Sequence, residues 1–228
     1  MDKKFGFTLA EVLITLGIIG VIAALTIPTL MANYRKHVVE TKLEKIYSVM
    51  NQAINLANAE YGDASNWVID CGKSGSATCS NDDVETWFNS TIGKHLEISK
   101  IEKAERPQSD LDGILIFLND GGVLYIEKCI YDMEYFLKQS AIQNPQLGKD
   151  TFQFRFNPTI LSHQDPTKPS FAHTFKTTFE PYAWDWDGTR EQLINGQNYS
   201  CGGRYHSYCA KLIQYDGWKI SKDYPVRI

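Results

Sequence analysis

The sequence has no excess of positive charge. Its 228 residues include 23 Lys and Arg against 27 Asp and Glu, which gives a net charge of -4. A protein that binds nucleic acid electrostatically needs a basic face to neutralise phosphates, and the basic residues here are scattered along the chain. We therefore predict no nucleic-acid partner.

The length allows one membrane segment and one modest globular domain.

Motifs for catalysis and metal binding are also missing. There is no Gly-x-Ser-x-Gly, no His-Glu-x-x-His and no CxxC pair, and the five histidines lack metal spacing. Asp185 and Asp187 could offer oxygens to calcium, but Gly196 stands where an EF-hand needs its closing Glu. A turn is the favoured interpretation of this stretch. We predict that the protein is not an enzyme and that it binds no cofactor and no metal. The alternative is a calcium ion bound by Asp185 and Asp187.

The one long apolar run lies near the start of the chain. Between Phe7 and Met31 almost every residue is apolar or small, and Glu11 carries the only charge. A helix of this length crosses about 30 Å of hydrocarbon, because each residue contributes about 1.5 Å. Lys3 and Lys4 precede the run, so we expect a cytoplasmic N-terminus and export of everything after the run.

The next segment is amphipathic. Apolar residues between Val38 and Tyr61 recur at alternating steps of four and three, which indicates a helix with one packing face. These residues are Val39, Leu43, Ile46, Met50, Ala53 and Ala57, with Tyr47 and Ile54 widening the stripe. No Gly or Pro interrupts the segment after Thr29, so we expect one continuous helix. Pro28 lacks a backbone donor and is the expected kink, and Gly20 weakens the same half.

The rest of the sequence has mostly β signals. Residues 114–118 and 123–127 flank an Asn-Asp-Gly-Gly turn, which is typical of a hairpin because glycine supplies the required positive φ. Residues 152–156 alternate between apolar and polar, which indicates a strand with one buried face. A second hairpin is predicted from residues 212–215 and 218–220. The prediction is an α+β fold, with a long N-terminal helix packed on a small antiparallel sheet.

Two further features complete the prediction for this region. Residues 84–88 are expected to form a short helix that Asp82 or Asp83 begins. The stretch 157–187 is rich in Pro, Thr and aromatics and is expected to form long connecting loops.

The cysteines fall into two close pairs and one single residue. Cys71 and Cys79 are near each other, as are Cys201 and Cys209, and Cys129 stands alone. The sequence does not fix connectivity, but we favour the two local disulfides, each contributing roughly 2.5 kcal/mol on a chain-entropy model. The alternative is five reduced, buried thiols. Cys129 is expected to be an unpaired thiol buried on a strand.

Residues 3–14 read Lys-Lys-Phe-Gly-Phe-Thr-Leu-Ala-Glu-Val-Leu-Ile. They resemble the prepilin signal of type IV pilins and type II secretion pseudopilins, which has a short basic leader, a Gly, and Phe-Thr-Leu-x-Glu at the head of an apolar helix. The resemblance implies that a membrane prepilin peptidase cleaves between Gly6 and Phe7 and that the new amine of Phe7 is methylated. It also implies that Gly20 and Pro28 mark a stretch that loses helicity on assembly; the alternative is a simple kinked span.

The resemblance implies a pilin-like arrangement of segments and a location. The segments are the leader 1–6, the transmembrane half-helix 7–32, the amphipathic half-helix 33–61 and the exported β-rich domain 62–228. The chain would lie in the bacterial inner membrane as a single-pass protein, with its C-terminal domain periplasmic or extracellular. Its partners would be the prepilin peptidase, other pilin or pseudopilin subunits in a helical filament, and the inner-membrane assembly platform. The alternative is a membrane-tethered exported binding module that does not polymerise.

Glu11 has a chemical reason to matter in this scheme. Placing a carboxylate inside a membrane helix costs free energy, so we expect such a residue to have a function. Cleavage creates an amine on Phe7, and we expect the Phe7 amine of a neighbouring subunit to pair with Glu11 in the low-dielectric filament core. Thr8 and Glu11 also match a capping box. Two alternatives are a secretory signal peptide cut near residues 21–23 and an uncleaved anchor, neither of which accounts for Gly-Phe-Thr-Leu-x-Glu.

Overall fold

A computed structural model of the chain describes residues 8–72, 78–105, 112–158 and 177–228. The chain forms two compact units, of which the first ends at Val38 and the second comprises Val39–Arg227. The cleavage residues Gly6 and Phe7 lie outside the described residues.

Helix α1, Leu9–Tyr61, supplies residues to both units. It is unbroken over 53 residues with Pro28 inside it, so the single long helix is confirmed, while a kink at Pro28 stays a prediction. The buried residues of α1 all lie in the second unit and match the predicted stripe: Val39, Leu43, Ile46, Met50, Ala53, Ile54 and Ala57. Gly62 follows the helix with a φ of +85°, a conformation in which glycine commonly ends helices.

In the part of the chain that the structure describes, six antiparallel strands form one sheet in which each strand pairs with the next. They are β1 (Ile98–Glu105), β2 (Asp112–Leu118), β3 (Val123–Glu127), β4 (Asp132–Phe136), β5 (Thr151–Phe156) and β6 (Phe179–Pro181). The β2–β3 hairpin and the strand at 152–156 are confirmed. Strand β6 lies within the stretch expected to be loop, of which residues 159–176 fall outside the described part.

The α+β fold with a long helix packed on a small antiparallel sheet is confirmed. Polar side chains fix α1 to the sheet: Lys42 Nζ donates to the carbonyl of Leu137 at 2.7 Å, and Asn51 Nδ2 donates to the carbonyl of Phe179 at 2.8 Å. The apolar stripe of α1 and the buried residues of β2 to β5 supply most of the core, and β3 is buried on both faces.

The described residues of the second unit also include four short helices: α2 (Ala64–Trp67), α3 (Asn81–Ser90), α4 (Arg190–Asn195) and α5 (Cys209–Tyr215). Single 3₁₀ turns occur at Ile92–His95 and Gln139–Ala141. The helix expected near residue 84 exists, but Ser80 caps it and not Asp82 or Asp83. The Ser80 hydroxyl accepts from the Asp83 amide, and the Asp83 carboxylate accepts from the Ser80 amide, which makes a capping box.

The predicted second hairpin is wrong. Residues 212–215 belong to helix α5, and residues 218–220 are in no strand. The Asp216-Gly217 pair ends that helix: the Asp216 amide donates to the carbonyl of Leu212 at 3.0 Å, and Gly217 has a φ of +73°. A glycine with positive φ suits a helix end as well as a hairpin turn, so the dipeptide alone did not separate the two.

The structure has disulfides between Cys71 and Cys79 and between Cys201 and Cys209, the two pairs that the sequence favoured. Cys129 is a buried free thiol, but it lies in the turn between β3 and β4, so its expected place on a strand is wrong. The turn forms because Ile130 takes a φ of +60° and its amide donates to the carbonyl of Glu127 at 2.8 Å.

Candidate functional site

The start of α1 is a capping box built by Thr8 and Glu11. The amide of Thr8 donates to Glu11 Oε2 at 2.7 Å and the Thr8 hydroxyl donates to the same oxygen at 2.8 Å. The amide of Glu11 donates in turn to Thr8 Oγ1 at 3.3 Å. Thr8 and Glu11 therefore satisfy each other at the helix start, where backbone amides have no partner inside the helix.

The apolar part of α1 has no protein cover in the described chain. Leu9 is 77 % exposed and Leu25 is 73 % exposed, and the other large apolar side chains up to Tyr34 are exposed as well. By length and composition this is the one helix among the described residues that could cross a membrane. A core helix of a soluble protein can pass the same test, but it would be buried, and this segment is not.

Packing among the described residues does not require glycine at two positions of this segment. A Cβ added to Gly17 or Gly20 would meet nothing within 4 Å. Neither residue therefore needs to be glycine for the packing of the described chain, although each one weakens the helix by about 1 kcal/mol relative to alanine.

The second unit contains a cavity of about 350 Å³. Strands β4 and β5 form one wall, and the segments around Tyr182 and residues 199–207 form another. Its size is at the lower end of the range for sites that bind small molecules.

Three carboxyl groups line the cavity, from Glu127, Asp132 and Glu134. The strand register pairs Asp132 with Arg155 and Glu134 with Gln153 across β4 and β5. Arg155 Nη1 donates to Asp132 Oδ1 at 3.1 Å, and Gln153 Nε2 donates to Glu134 Oε1 at 3.4 Å. Burial raises the pKa of Asp132, and the guanidinium of Arg155 opposes that rise.

Tyrosine rings form the opposite side of the cavity. Tyr182, Tyr199 and Tyr205 line it, with ring centroids 6.0 Å apart for Tyr182 and Tyr199 and 5.8 Å apart for Tyr199 and Tyr205. Tyr199 and Tyr205 are 45 % and 44 % exposed, so they form its mouth, whereas Glu134 is only 4 % exposed. Tyr208 packs against this cluster, and burial raises its pKa to about 12. Burial raises the pKa of Tyr182 as well, so both phenols stay neutral at physiological pH.

One group of described side chains has a spacing that suits a metal ion. Ligand atoms of Glu127, Cys129 and Asp132 lie within 4.8 Å of one another. Two observations count against a metal there. Arg155 already binds the carboxylate of Asp132, and burial raises the pKa of the Cys129 thiol, which disfavours the thiolate that a metal needs.

The calcium alternative at Asp185 and Asp187 gains no support. Asp187 Oδ1 accepts from the amide and the hydroxyl of Thr189 at 2.8 and 2.7 Å, so this carboxylate shapes the loop that begins α4. Asp185 has a φ of +58° in the same loop. These contacts are those of the turn that the sequence favours.

Two parts of the chain match known sequence families. Residues 1–27 match the model of a prokaryotic N-terminal methylation motif, which shows a type IV prepilin-like signal. Together with the long-helix α+β fold, this signal defines a pilin-like or pseudopilin-like processed protein. Residues 29–228 match a family of unknown function (DUF6613), and because the match spans most of the chain, the protein belongs to that family. No curated protein and no solved structure matches the chain.

Sequence reasoning found the helix start and missed the cavity. From the sequence we predict no site at the tyrosines or at the acidic residues of β4. A signal existed: Asp132 and Glu134 alternate with the buried Met133 and Tyr135, so two acids share one face of a strand. What the sequence could not show is that the segments carrying Tyr182, Tyr199 and Tyr205, which come well after β4 along the chain, meet at that face.

Proposed function

We propose that the chain is a structural subunit of a type IV pilus or type II secretion-type filament. It is made as a precursor and cut by a prepilin peptidase between Gly6 and Phe7, and the new amine of Phe7 is methylated. Residues 7–32 anchor it in the inner membrane with the leader 1–6 in the cytoplasm, residues 33–61 continue the helix, and residues 62–228 form the exported domain. The inner-membrane assembly platform then inserts it into the filament.

The observation that carries this proposal is the uncovered apolar half of α1. Large apolar side chains from Leu9 to Met31 lie exposed along the helix of the single chain. Such a surface requires lipid before assembly and the matching helices of other subunits afterwards. Gly17 and Gly20 support the second part, because small residues let neighbouring helices approach closely and no contact among the described residues needs them.

Glu11 has two partners in this scheme, one before and one after assembly. In the single chain its carboxylate accepts two hydrogen bonds from Thr8. In the filament the amine of Phe7 on a neighbouring subunit binds the same carboxylate, and a charge pair in a low-dielectric core fixes the register between subunits. The capping box thus stabilises the carboxylate until the partner amine arrives.

Processing is tested by intact mass and N-terminal sequencing of membrane-extracted protein from cells with and without a prepilin peptidase. We expect a chain that begins at methylated Phe7 only when the peptidase is present. A chain that begins at Met1 in both strains would make the protein a simple anchor, and one that begins near Ala24 would make it a secreted protein.

Assembly is tested by two substitutions that separate charge from capping. Glu11→Gln keeps a side chain that can cap the helix but removes the negative charge, whereas Glu11→Ala removes both. We expect both variants to be processed and to be missing from sheared or pelleted filaments. The control is Glu44→Gln, which removes an exposed carboxylate from the same helix beyond its apolar half. Normal assembly of Glu11→Gln would overturn the charge pairing and leave Glu11 with a capping role.

The second candidate is a membrane-tethered binding module, and the tyrosine-lined cavity is the observation that favours it. A tethered module would stay in the membrane fraction at all expression levels and would never co-purify with filaments. It would also be indifferent to both Glu11 substitutions. The assembly experiment therefore separates the two functions directly.

A further inference from the structure

The cavity in the second unit combines two features that each attract a positive charge. Tyrosine rings present electron-rich faces at its mouth, and buried carboxyl groups stand along its wall. Aromatic rings bind cations through the ring quadrupole, with or without a carboxylate nearby. No Lys or Arg is among the described residues that line the cavity, and of its carboxylates Asp132 is the one that Arg155 binds from the side, so the inference rests on Glu134 and the rings.

We infer that this cavity binds a small organic cation, an alkylammonium or guanidinium group about the size of a lysine or arginine side chain. The cation would enter between Tyr199 and Tyr205 and point its charge toward Glu134. The inference does not depend on filament assembly and holds equally for a subunit and for a tethered module.

The geometry of the rings suits such a group. Centroids of Tyr182, Tyr199 and Tyr205 lie 5.8 to 6.0 Å apart in successive pairs, so a cation at the mouth lies within reach of more than one ring. The chain uses the same chemistry on itself close by. The Arg204 guanidinium carbon lies 5.7 Å from the Tyr205 centroid, and that of Arg155 lies 4.7 Å from the ring of Trp184.

The carboxyl groups determine which end of the ligand points into the cavity. Glu134 is buried beside Gln153, and Glu127 is 8 % exposed on the neighbouring strand. Each carboxyl group keeps contacts of its own within the protein, and the inference needs only that they face the cavity. A buried negative wall behind a ring of aromatic faces favours a cation over a neutral ligand of the same shape.

The size of the cavity limits the ligand. A volume of about 350 Å³ admits one side chain or a small amine and excludes most cofactors. The rings of Tyr182, Tyr199 and Tyr205 give the alkyl stem of the ligand apolar surface to contact.

The test is calorimetric titration of the full chain in a nonionic detergent, because a zwitterionic detergent would itself supply a quaternary ammonium group. The probes are n-butylammonium, N-acetyl-lysine amide and the uncharged near-isostere N-acetyl-norleucine amide. We expect saturable binding of at least one charged probe and at least tenfold weaker binding of the norleucine probe. Binding of n-butylammonium alone indicates a free amine as the ligand, and binding of the lysine probe alone indicates a side chain of another polypeptide.

Substitutions at the mouth separate the ring face from the hydroxyl. Tyr199→Leu removes the ring and should weaken binding of the charged probe about threefold, whereas Tyr199→Phe keeps the ring and should change it by less than about twofold. Glu134→Gln should weaken binding about tenfold. The matched control is Tyr215→Leu, because Tyr215 is 50 % exposed and does not line the cavity.

Thermal unfolding of each variant shows whether it still folds, and Tyr199→Phe keeps the test decisive if Tyr199→Leu does not. Equal binding of the lysine and norleucine probes would show an apolar pocket and overturn the inference. So would the absence of saturable binding of both charged probes to the wild-type chain at millimolar concentration.

Discussion

Lys211 of helix α5 and Glu180 of strand β6 form a buried ion pair, with Nζ and Oε2 3.0 Å apart and side chains 6 % and 1 % exposed. Further contacts surround the pair. Gln214 Oε1 accepts from Lys211 at 2.7 Å, Trp186 places its ring 5.3 Å below the ammonium, and Thr177 donates to Glu180 at 3.1 Å. The pair joins the last helix of the chain to the edge of the sheet.

We expect Lys211→Met to lower the free energy of unfolding by about 3 to 5 kcal/mol. Removing the ammonium leaves the carboxylate of Glu180 in a buried position without the charge that stabilises it there. Denaturation monitored by tryptophan fluorescence measures the loss. The double variant Lys211→Met with Glu180→Gln is the control, because it removes both charges and should recover much of the stability. A double variant as unstable as Lys211→Met alone would show that packing, and not the charge, accounts for the effect.

Gly148 should tolerate no side chain. Its φ is +77°, and a Cβ there would lie 2.6 Å from Cys209 Sγ, within the Cys201–Cys209 disulfide. Gly148→Ala therefore adds a steric clash to the backbone cost of a positive φ, and we expect a loss of about 2 kcal/mol or more in unfolding free energy.

Gly121→Ala is the matched control for that experiment. Gly121 has a nearly equal φ of +81°, but a Cβ there would meet nothing within 4 Å. It should cost only the backbone term, about 1 kcal/mol. Equal losses in the two alanine variants would show that the disulfide moves aside and that the contact at Gly148 has no energetic weight.

A thiol reagent should label one cysteine, Cys129, and only after the protein unfolds. Five cysteines with two disulfides leave one free thiol, Cys129, which is buried. Burial raises the pKa of this thiol, so at neutral pH the native protein should react very slowly with iodoacetamide. Intact mass should show one adduct after denaturation without reductant and five after reduction. Rapid labelling of the native protein would contradict the buried position.

Asp223 should stabilise the fold in a pH-dependent way. Hydrogen bonds from Arg190, and then from Ser221, hold the pKa of Asp223 well below its ordinary value of 3.8. A carboxylate with a lowered folded pKa contributes stability above its unfolded pKa and loses it as pH falls through the folded one. Asp223→Asn should therefore be less stable than wild type at pH 7, and the difference should shrink as pH falls below about 4.

Thermal unfolding between neutral pH and strong acid measures this difference. The effect is small because the side chain of Asp223 is 56 % exposed and water screens the pair. Glu44→Gln, another exposed carboxylate, is the control and should follow the wild-type profile. A constant difference between Asp223→Asn and wild type at all pH values would show that the aspartate acts through its shape alone.

Periodicity predicted the long helix and its buried face because the sequence there has one consistent pattern over many turns. The stripe from Val39 to Ala57 is buried as expected, since a long amphipathic helix leaves little choice of face. The β2–β3 hairpin was equally accessible, because its turn glycines and its flanking apolar strands agree. The local sequence pattern was enough to predict an element where many neighbouring residues indicated the same conformation.

Short segments were less predictable, because tertiary contacts decide their conformation. Residues 209–215 form a helix although their apolar residues also suit a strand; the disulfide at Cys209 and the ion pair at Lys211 fix the helical arrangement, and neither is visible in a local window. The cavity could not be predicted for the same reason, because its tyrosines and its carboxyl groups come from separate segments. The helix start was found from its motif, whose residues are adjacent in sequence.

Both disulfides join cysteines only eight positions apart. The entropic cost of closing so short a loop is low, so each pair meets often even in an unfolded chain. Cys129 lies at least 50 residues from any of the four, and its collisions with them are correspondingly rarer. Correct oxidation can therefore precede the formation of the sheet, and Cys71 and Cys79 are both made before Cys129, so the first pair can close before that thiol competes for it.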